Sequence, residues 1–582
     1  MNDLNNNILS RLSLLMMISL LAACSSDNGN NNYQGNPPSN QTPQLSPAVG
    51  AKIKKQCEQL GSFQYANTTI TSATALEAGA ETVANKPIRA HCLVTGYMFP
   101  RTSPVDGQEY RIGFEMRLPL DWNGRFLFQG NGGFGGEIIP ALGFIGSGGP
   151  LTNALYEGFT VISSDMGHTL EQNSTFGLDP QARLDYGYAA MTKLTPMAKQ
   201  LIKFSYDKVP DRSYAAGPSR GGNLALIAAT RLPNEFDGIY ANSPPFDLPV
   251  AIVAQIYDAL QLRKVATDVD DLVTAFTLEE RKVVADAVLR QCDQLDGITD
   301  GMVQDVDQCQ TRFNIERDVP VCQGERNGTC LSAEQIQVIS DVFKAPVNSK
   351  GEEFYVGEAY DPGIIGQKWA NVKLFSTQYL EGLASATAIT FQVPPEEAPL
   401  QNPLEFALNY NFDTDLIKLF RTDDTYKESS VEFMGPPNPL NLTPLTSKGG
   451  KLIVVHAVAD GSTASMYESQ NWYKQLLERN SANIQNSVRF FRVPGMNHVS
   501  QGVATDQFDG LTALVRWVEY GEKPDRIIAT ARGPGNPSGE INPEIPSNWA
   551  PNRTRPLCPY PLVARYSGQG DSEKAESFNC AR

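Results

Sequence analysis

The chain has 582 residues, a formal net charge of −16, and 41% hydrophobic against 19% charged residues. That length accommodates several average domains or one large fold with an insertion, and a sizeable core either way. The acidic balance leaves no electrostatic footprint for nucleic acid, so that class of partner is excluded.

The chain opens with "MNDLNNNILSRLSLLMMISLLAACSS", where one arginine precedes an apolar run from Leu12 to Leu21. A run this short reads as a secretory leader rather than a membrane span. Leu-Ala-Ala-Cys at its end resembles the bacterial lipobox. Residues 1–24 are therefore expected to be a lipoprotein signal whose Cys24 takes the lipid, and an ordinary cleaved signal is the alternative. Ser25 after that cysteine resembles outer-membrane lipoproteins, which predicts an exported protein held at the membrane through its lipid alone, on the periplasmic or the cell-surface side. Residues 25–48 are polar and rich in Gly, Pro and Asn, a flexible tether.

Export changes how the cysteines read. Besides Cys24 there are Cys57, Cys92, Cys292, Cys309, Cys322, Cys330, Cys558 and Cys580, an even set suited to disulfides in an oxidising compartment. Eight cysteines allow 105 connectivities, so sequence alone does not pair them. Their clustering favours the local couples 57–92, 292–309, 322–330 and 558–580.

From about Gln108 short apolar strands alternate with Gly-rich turns and helical patterns. "GRFLFQG", "GFTVISSD" and "DRSYAAG" read as strands, "ARLDYGYAAMTKLTPMAKQLIKF" as a long helix, and another helix begins near Gly222. Late in the chain "GGKLIVVHAVAD", "MYESQNWYKQLLERN", "VRFFRVPG" and "FDGLTALVRWVEYG" resume the strand–helix rhythm. Such alternation predicts a mainly parallel sheet covered on both faces. Between the two halves the rhythm is lost. The expected organisation is an α/β-hydrolase fold in two parts, residues 49–247 and 448–582, with a large lid domain inserted at 248–447.

Gly-x-Ser-x-Gly occurs at Gly217 to Gly221, where a predicted strand gives way to a predicted helix. A nucleophile elbow needs that context, because the turn is too tight for side chains two positions either side of the serine. Ser219 is thus the candidate nucleophile, and a plain turn serine is the alternative. Of four histidines, His91 and His168 precede Ser219, whereas the fold's order is Ser, acid, His. His456 lies inside a strand and reads as structural. His498 follows the next strand in a loop and reads as the base, with Asp460, just past the end of its strand, as the acid. The oxyanion needs main-chain N–H donors. Arg220, after the nucleophile, should give one, and Gly132 or Gly133 in "FQGNGGFGG" the other. In "CDQLDGITDGMVQDVDQC", Asp293, Asp296 and Asp300 crowd one loop, which suits a hard cation such as Ca²⁺ or, equally on these residues, an exposed acidic turn.

Taken together, "WNGRFLFQGNGGFGG", "SSDMGHTLEQNSTFGLDPQARLDYGY", "GPSRGGNLALIAATRLPNEFDGIYANSPP", the aspartate loop, "GGKLIVVHAVAD" and "PGMNH" resemble the tannase and feruloyl esterase family, over most of the chain after about residue 50. The resemblance implies that Ser219, Asp460 and His498 are the catalytic residues. It also implies a structural lid calcium held by Asp293, Asp296 and Asp300 with the Ile298 and Met302 carbonyls, and it supports the four local disulfides. One departure stands out: the family typically carries disulfide-linked cysteines just before the nucleophile and just after the histidine, where this chain has Pro218 and Val499. Arg220 is also unusual; it is expected to meet either a substrate carboxylate or a local acid.

The implied activity is that of a serine carboxylesterase acting on small aromatic esters: hydroxycinnamoyl (feruloyl or chlorogenic) first, galloyl second, mono(hydroxyethyl) terephthalate-type half-esters third. Trp369, Phe375, Phe391, Phe406, Tyr410, Phe412 and Phe420 offer aromatic surface in the lid. The rival from another class is a non-catalytic surface lipoprotein that binds such ligands on a retired hydrolase scaffold.

Overall fold

The computed structural model describes residues 43–147, 153–374, 377–480, 482–536 and 540–582. The leader with Cys24, most of the tether, and Phe375 lie outside the described residues. Among the described residues no helix is long and apolar enough to cross a membrane.

Nine strands build the main sheet: β1 (Thr68–Leu76), β2 (His91–Thr102), β3 (Glu109–Pro119), β4 (Arg125–Gln129), β5 (Thr160–Ser164), β6 (Arg212–Pro218), β7 (Gly238–Asn242), β8 (Lys451–Ala457) and β9 (Val488–Val493). Their order is β9-β8-β7-β6-β4-β5-β3-β2-β1. Strands β4 to β9 pair parallel, which demands crossovers; helices supply them except between β4 and β5, where the described connecting residues contain no helix. The first three strands pair antiparallel and extend one edge. In β5, β7, β8 and β9 every residue is buried, as a sheet covered on both faces requires.

Helix α1 (Ala190–Tyr206) follows β5, α2 (Arg220–Arg231) follows β6, α7 (Met466–Arg479) links β8 to β9, and α8 (Gly510–Tyr520) follows β9. Between β7 and β8 the chain adds no strand to the main sheet. That helical insert includes α3 (Leu248–Leu262), α4 (Leu278–Cys292), α5 (Ala333–Phe343) and α6 (Thr377–Ala386). It is bound to the sheet domain by Arg183, a buried guanidinium that donates to the carbonyls of Gly177 (2.5 Å), Ile389 (2.5 Å) and Gln392 (3.2 Å).

The sequence pattern and the structure differ at the antiparallel edge, which the strand pattern does not show, and in the tether and the first long helix. The tether is expected to run through residue 48, but Gln44 donates to the Val518 carbonyl (2.7 Å) and the Ala48 N–H to Glu519 (2.8 Å), so these residues are already held on the fold. The long helix expected from Ala182 is one helical run with a π-helical stretch at Asp185–Ala189 just before α1. All four local disulfides are present: Cys57–Cys92, Cys292–Cys309, Cys322–Cys330 and Cys558–Cys580.

Candidate active site

The turn between β6 and α2 is tight enough to exclude side chains beside Ser219. A Cβ on Gly217 would lie 2.4 Å from the Gly130 carbonyl oxygen, and one on Gly221 would lie 2.2 Å from the same atom. Ser219 itself takes φ 56° and ψ −126°, a conformation that costs an L-residue about 1–3 kcal/mol and persists only where its surroundings impose it. Here its N–H donates to the Asn242 carbonyl (2.8 Å) and its own carbonyl accepts from the Asn223 N–H (3.0 Å). Although Ser219 occupies the N-cap of α2, its hydroxyl makes no capping bond and lines a cavity instead.

That cavity, about 230 Å³, also touches His498. The His498 ring reaches Asp460 through Nδ1, 2.8 Å from Oδ2 and 3.0 Å from Oδ1. Nδ1–H donating to Asp460 leaves Nε2 as the basic nitrogen. Asp460 is fully buried. Burial pushes its carboxyl up, but the His498 imidazole outweighs this through charge and hydrogen bond, with His456 and the Ser462 hydroxyl assisting, and holds it below the usual carboxylate range. Ser462 is a member of this network that the sequence pattern does not single out. Its hydroxyl donates to Asp460 Oδ1 (2.6 Å) and lies 2.8 Å from His498 Nδ1, and it too lines the cavity.

His456 is structural, in line with its position inside β8. Its Nε2 faces the Ala464 carbonyl (2.9 Å), so that nitrogen carries the proton and Nδ1 accepts from the Ser469 hydroxyl (2.7 Å). Burial lowers its pKa to about 4, which keeps a neutral donor 3.6 Å behind Asp460. Of the four histidines only His498 lines the cavity.

Both expected sources of oxyanion donors lie beside Ser219. The Arg220 N–H belongs to the first turn of α2, where amides have no partner inside the helix. In the loop after β4, a Cβ on Gly132 would stand 3.7 Å from the Ser219 Cβ, while Gly133 takes φ +68° and lines the cavity. The Arg220 side chain, expected to meet either a substrate carboxylate or a local acid, pairs with no local acid, although the residue lines the cavity. It is buried and donates to neutral oxygens: the Asn223 side chain (2.6 Å) and the carbonyls of Tyr186 (2.6 Å) and Gly187 (2.7 Å).

The remaining walls are Phe134, Tyr186, Arg220, Leu248, Ile252, Val372, Tyr379, Leu383 and Thr463. None of the expected aromatic residues of the insert that fall within the described residues is among them. Trp369, Phe391 and Tyr410 are buried in the core, whereas Phe406 and Phe412 pack against it from the side and Phe420 is exposed. Tyr379, on α6, is the aromatic residue of the insert that reaches the cavity. At Pro218 and Val499, where the family typically has its cysteines, a short loop touches both sides. A Cβ on Gly146 would lie 3.0 Å from the Pro218 Cβ, and the Ser147 N–H donates to the Val499 carbonyl (2.9 Å).

The aspartate loop lies between Cys292 and Cys309, whose disulfide closes it. Asp293 accepts from the N–H groups of Asp300 and Gly301 (2.9 Å each), and Asp300 pairs with Arg555. Asp296 Oδ2 is buried with no protein partner, and burial, then the Asp300 charge, push that carboxyl up to about 8. The Ile298 side chain packs on the Cys558–Cys580 cluster and Met302 on Trp549. Among the described residues no three His, Cys, Asp or Glu side chains converge closely enough to ligate one ion. One orphaned oxygen, on Asp296, is what suits a cation.

Comparison with known proteins gives the chain's family. The chain is 33% identical over 551 residues to the mono(2-hydroxyethyl) terephthalate hydrolase of Piscinibacter sakaiensis, covering 89% of both chains. It is 27% identical over 447 residues to a probable feruloyl esterase B-2 of Aspergillus flavus, covering 73% of this chain and 78% of that one. The fold matches the crystal structure of feruloyl esterase B from Aspergillus oryzae with a TM-score of 0.71 at 23% identity, over 90% of this chain and 99% of that one. Residues 92–581 match the family model described as tannase and feruloyl esterase, and the chain belongs to that family of carboxylic ester hydrolases.

Proposed function

We propose that the protein is an exported serine carboxylesterase that cleaves esters of aromatic acids through an acyl-enzyme. One observation carries the reading: Ser219, freed from capping and held in a strained elbow, opens onto the same cavity as His498, whose other nitrogen is bonded to buried Asp460. In this reading Ser219 Oγ attacks the ester carbonyl while His498 Nε2 takes its proton, and Asp460 orients the ring and stabilises the imidazolium. The N–H groups of Arg220 and of Gly132 or Gly133 hold the tetrahedral oxyanion, each such donor contributing about 2.7–4 kcal/mol. His498 then returns the proton to the departing alcohol, and water releases the acid by the same steps reversed.

The walls support an aromatic acyl group, since Phe134, Tyr186 and Tyr379 line the cavity together with the aliphatic Leu248, Ile252, Val372 and Leu383; Arg220, Ser462 and Thr463 are its polar lining besides Ser219 and His498. Hydroxycinnamoyl esters are the first candidates, galloyl esters the second and terephthalate half-esters the third. Feruloyl esterases and the terephthalate half-ester hydrolase among the relatives support that set. The leader and Cys24 support export and a lipid anchor. A structural calcium, if bound, would start from Asp296, whose Oδ2 has no partner; Asp293 and Asp300 would have to turn toward it from the main-chain and Arg555 partners they now hold, and the Ile298 and Met302 carbonyls would complete the set. The ion would take no part in the chemistry at Ser219.

The test is fluorophosphonate labelling together with turnover of methyl ferulate, chlorogenate, methyl gallate and mono(hydroxyethyl) terephthalate. Wild-type protein should label and hydrolyse at least one of the four, and Ser219→Ala should do neither. A Ser219→Ala variant with wild-type turnover would end the serine-esterase reading. Wild-type protein that neither labels nor turns over any ester would favour a ligand-binding lipoprotein.

A further inference from the structure

Two walls must be set at a fixed spacing for an oxyanion hole to work: the elbow that carries the Arg220 N–H and the loop that carries Gly132 and Gly133. Covalently they are far apart, at the ends of β6 and β4. One residue is bonded to both. The Tyr186 main-chain carbonyl accepts from Arg220 Nη2 (2.6 Å), and the Arg220 guanidinium lies 5.0 Å from the Tyr186 ring centroid. The Tyr186 hydroxyl donates to the Gly133 carbonyl (3.1 Å).

The local backbone explains how one residue can do this. Residues Asp185–Ala189 wind as a π-helix, where the ladder steps from i+4 to i+5 and neighbouring carbonyls become open to outside donors. Arg220 takes two of them, those of Tyr186 and Gly187, from the far side of the elbow. The ring is wedged edge-on against Phe176 (5.2 Å) and His168 (5.8 Å), so the hydroxyl cannot swing away.

Gly133 needs such a restraint. It takes φ +68°, and a Cβ placed on it would meet nothing within 4 Å, so that face of the residue is open. Glycine has the freest backbone of any residue, and a glycine with an open face needs other bonds to hold a donor to the few tenths of an ångström that catalysis requires. The Tyr186 hydroxyl on its carbonyl supplies the restraint.

We propose that Tyr186 is a positioning residue that sets the width of the oxyanion hole, through Arg220 on the elbow side and Gly133 on the loop side. The proposal rests on the serine-esterase reading and adds to it a residue that neither the nucleophile motif nor the triad identifies.

Tyr186→Phe keeps the ring and the main-chain carbonyl and removes only the bond to Gly133. With the best substrate of the panel, kcat should fall about tenfold or more while KM stays within about twofold. Affinity for a trifluoromethyl ketone analogue, whose hemiketal oxygen enters the hole, should fall by the same factor as kcat/KM, and affinity for the free acid product should hold. In a cycle with Arg220→Lys, which keeps the charge but not the paired carbonyl bonds, the double variant should lose less than the product of the two single losses. Wild-type kcat in Tyr186→Phe, a rise in KM alone, or an unchanged ketone affinity would each overturn the proposal, whether or not Arg220→Lys folds. Ser219→Ala run alongside separates the two levels. An inactive Ser219→Ala with a fully active Tyr186→Phe sinks this proposal alone, and an active Ser219→Ala sinks the reading beneath it.

Discussion

A Cβ on Gly221 would stand 2.2 Å from the carbonyl oxygen of Gly130, a main-chain atom with no freedom to move aside. The elbow and the loop after β4 are therefore in backbone contact, and the geometry around Ser219 depends on that contact. Gly221→Ala is expected to cost about 1–3 kcal/mol or more in stability, as overpacking does, and to lower kcat at least a hundredfold by displacing one wall from the other. Gly382→Ala is the control. It lies in α6 with nothing within 4 Å of its Cβ position and should be neutral or stabilise by up to about 1 kcal/mol. Thermal unfolding with steady-state kinetics on both variants checks the pair.

Ser462 gives the second prediction. Its hydroxyl bonds a buried carboxylate at 2.6 Å, and a hydrogen bond to a charged group contributes about 1.5–3 kcal/mol. Ser462→Ala should lower kcat about tenfold and leave fluorophosphonate labelling slower but intact. Asp460→Asn should cost far more, on the order of 10⁴ in kcat, because an amide stabilises the wrong tautomer of His498. Equal losses in the two variants would show that Ser462 does more than support Asp460.

The elbow and the His498–Asp460 pair were legible because tight turns admit few residues and because four histidines leave little to search. Ser462 was not legible. A serine two residues after an acid has no distinguishing neighbourhood until the chain folds it against His498. The side-chain partners of Arg220 were not legible either: a cation beside a nucleophile suggests a local acid, but here the carbonyls of a π-helical stretch and the Asn223 side chain take its Nη donors. Whether a helix steps to i+5 is decided by packing, which composition does not reveal. The antiparallel edge, β1 to β3, also escaped the strand pattern. β1 has no buried residue, so it lacks the apolar alternation that marks a half-buried strand.

The third prediction concerns pH. Asp247, just before α3, and Glu468, on α7, are both half-buried; burial, with the charge of Asp247, pushes Glu468 up to about 8, and burial pushes Asp247 up to about 7. Glu468 accepts from the N–H groups of Phe246 (3.1 Å) and Asp247 (3.2 Å), and Asp247 Oδ1 has no partner. A carboxyl whose pKa is higher in the folded than in the unfolded chain binds more protons when folded. Its contribution is intact below the unfolded value near 4 and is lost as pH rises through the folded value, at about 1.4 kcal/mol per pH unit for each proton. Stability should therefore decline from about pH 4 to 8. Glu468→Gln should flatten that decline, raising the melting temperature at pH 8–9 while matching wild type near pH 5. Parallel melting curves for the two proteins across that range would refute the shared burden on this pair.

The calcium proposal makes the sharpest prediction because its two outcomes differ in sign. Asp296 Oδ2 is buried without a partner, and an unpaired buried carboxylate is costly unless it is protonated or meets a cation. If calcium occupies the loop, it binds the folded state alone and stabilises it by RT ln(1 + [L]/Kd), about 2.7 kcal/mol at a hundredfold excess over Kd. Chelation should then lower the melting temperature, and Asp296→Asn should lower it too while making it indifferent to chelator. If no ion binds, Asp296→Asn removes only the cost of keeping a buried carboxyl protonated near neutral pH and should raise the melting temperature there, with chelator silent on both proteins. Metal analysis of dialysed protein adds the stoichiometry, with one calcium per chain expected in the wild type and much less in the variant. Fluorophosphonate labelling of Ser219 should survive chelation, since the ion would brace the loop around Asp296 and leave the triad untouched.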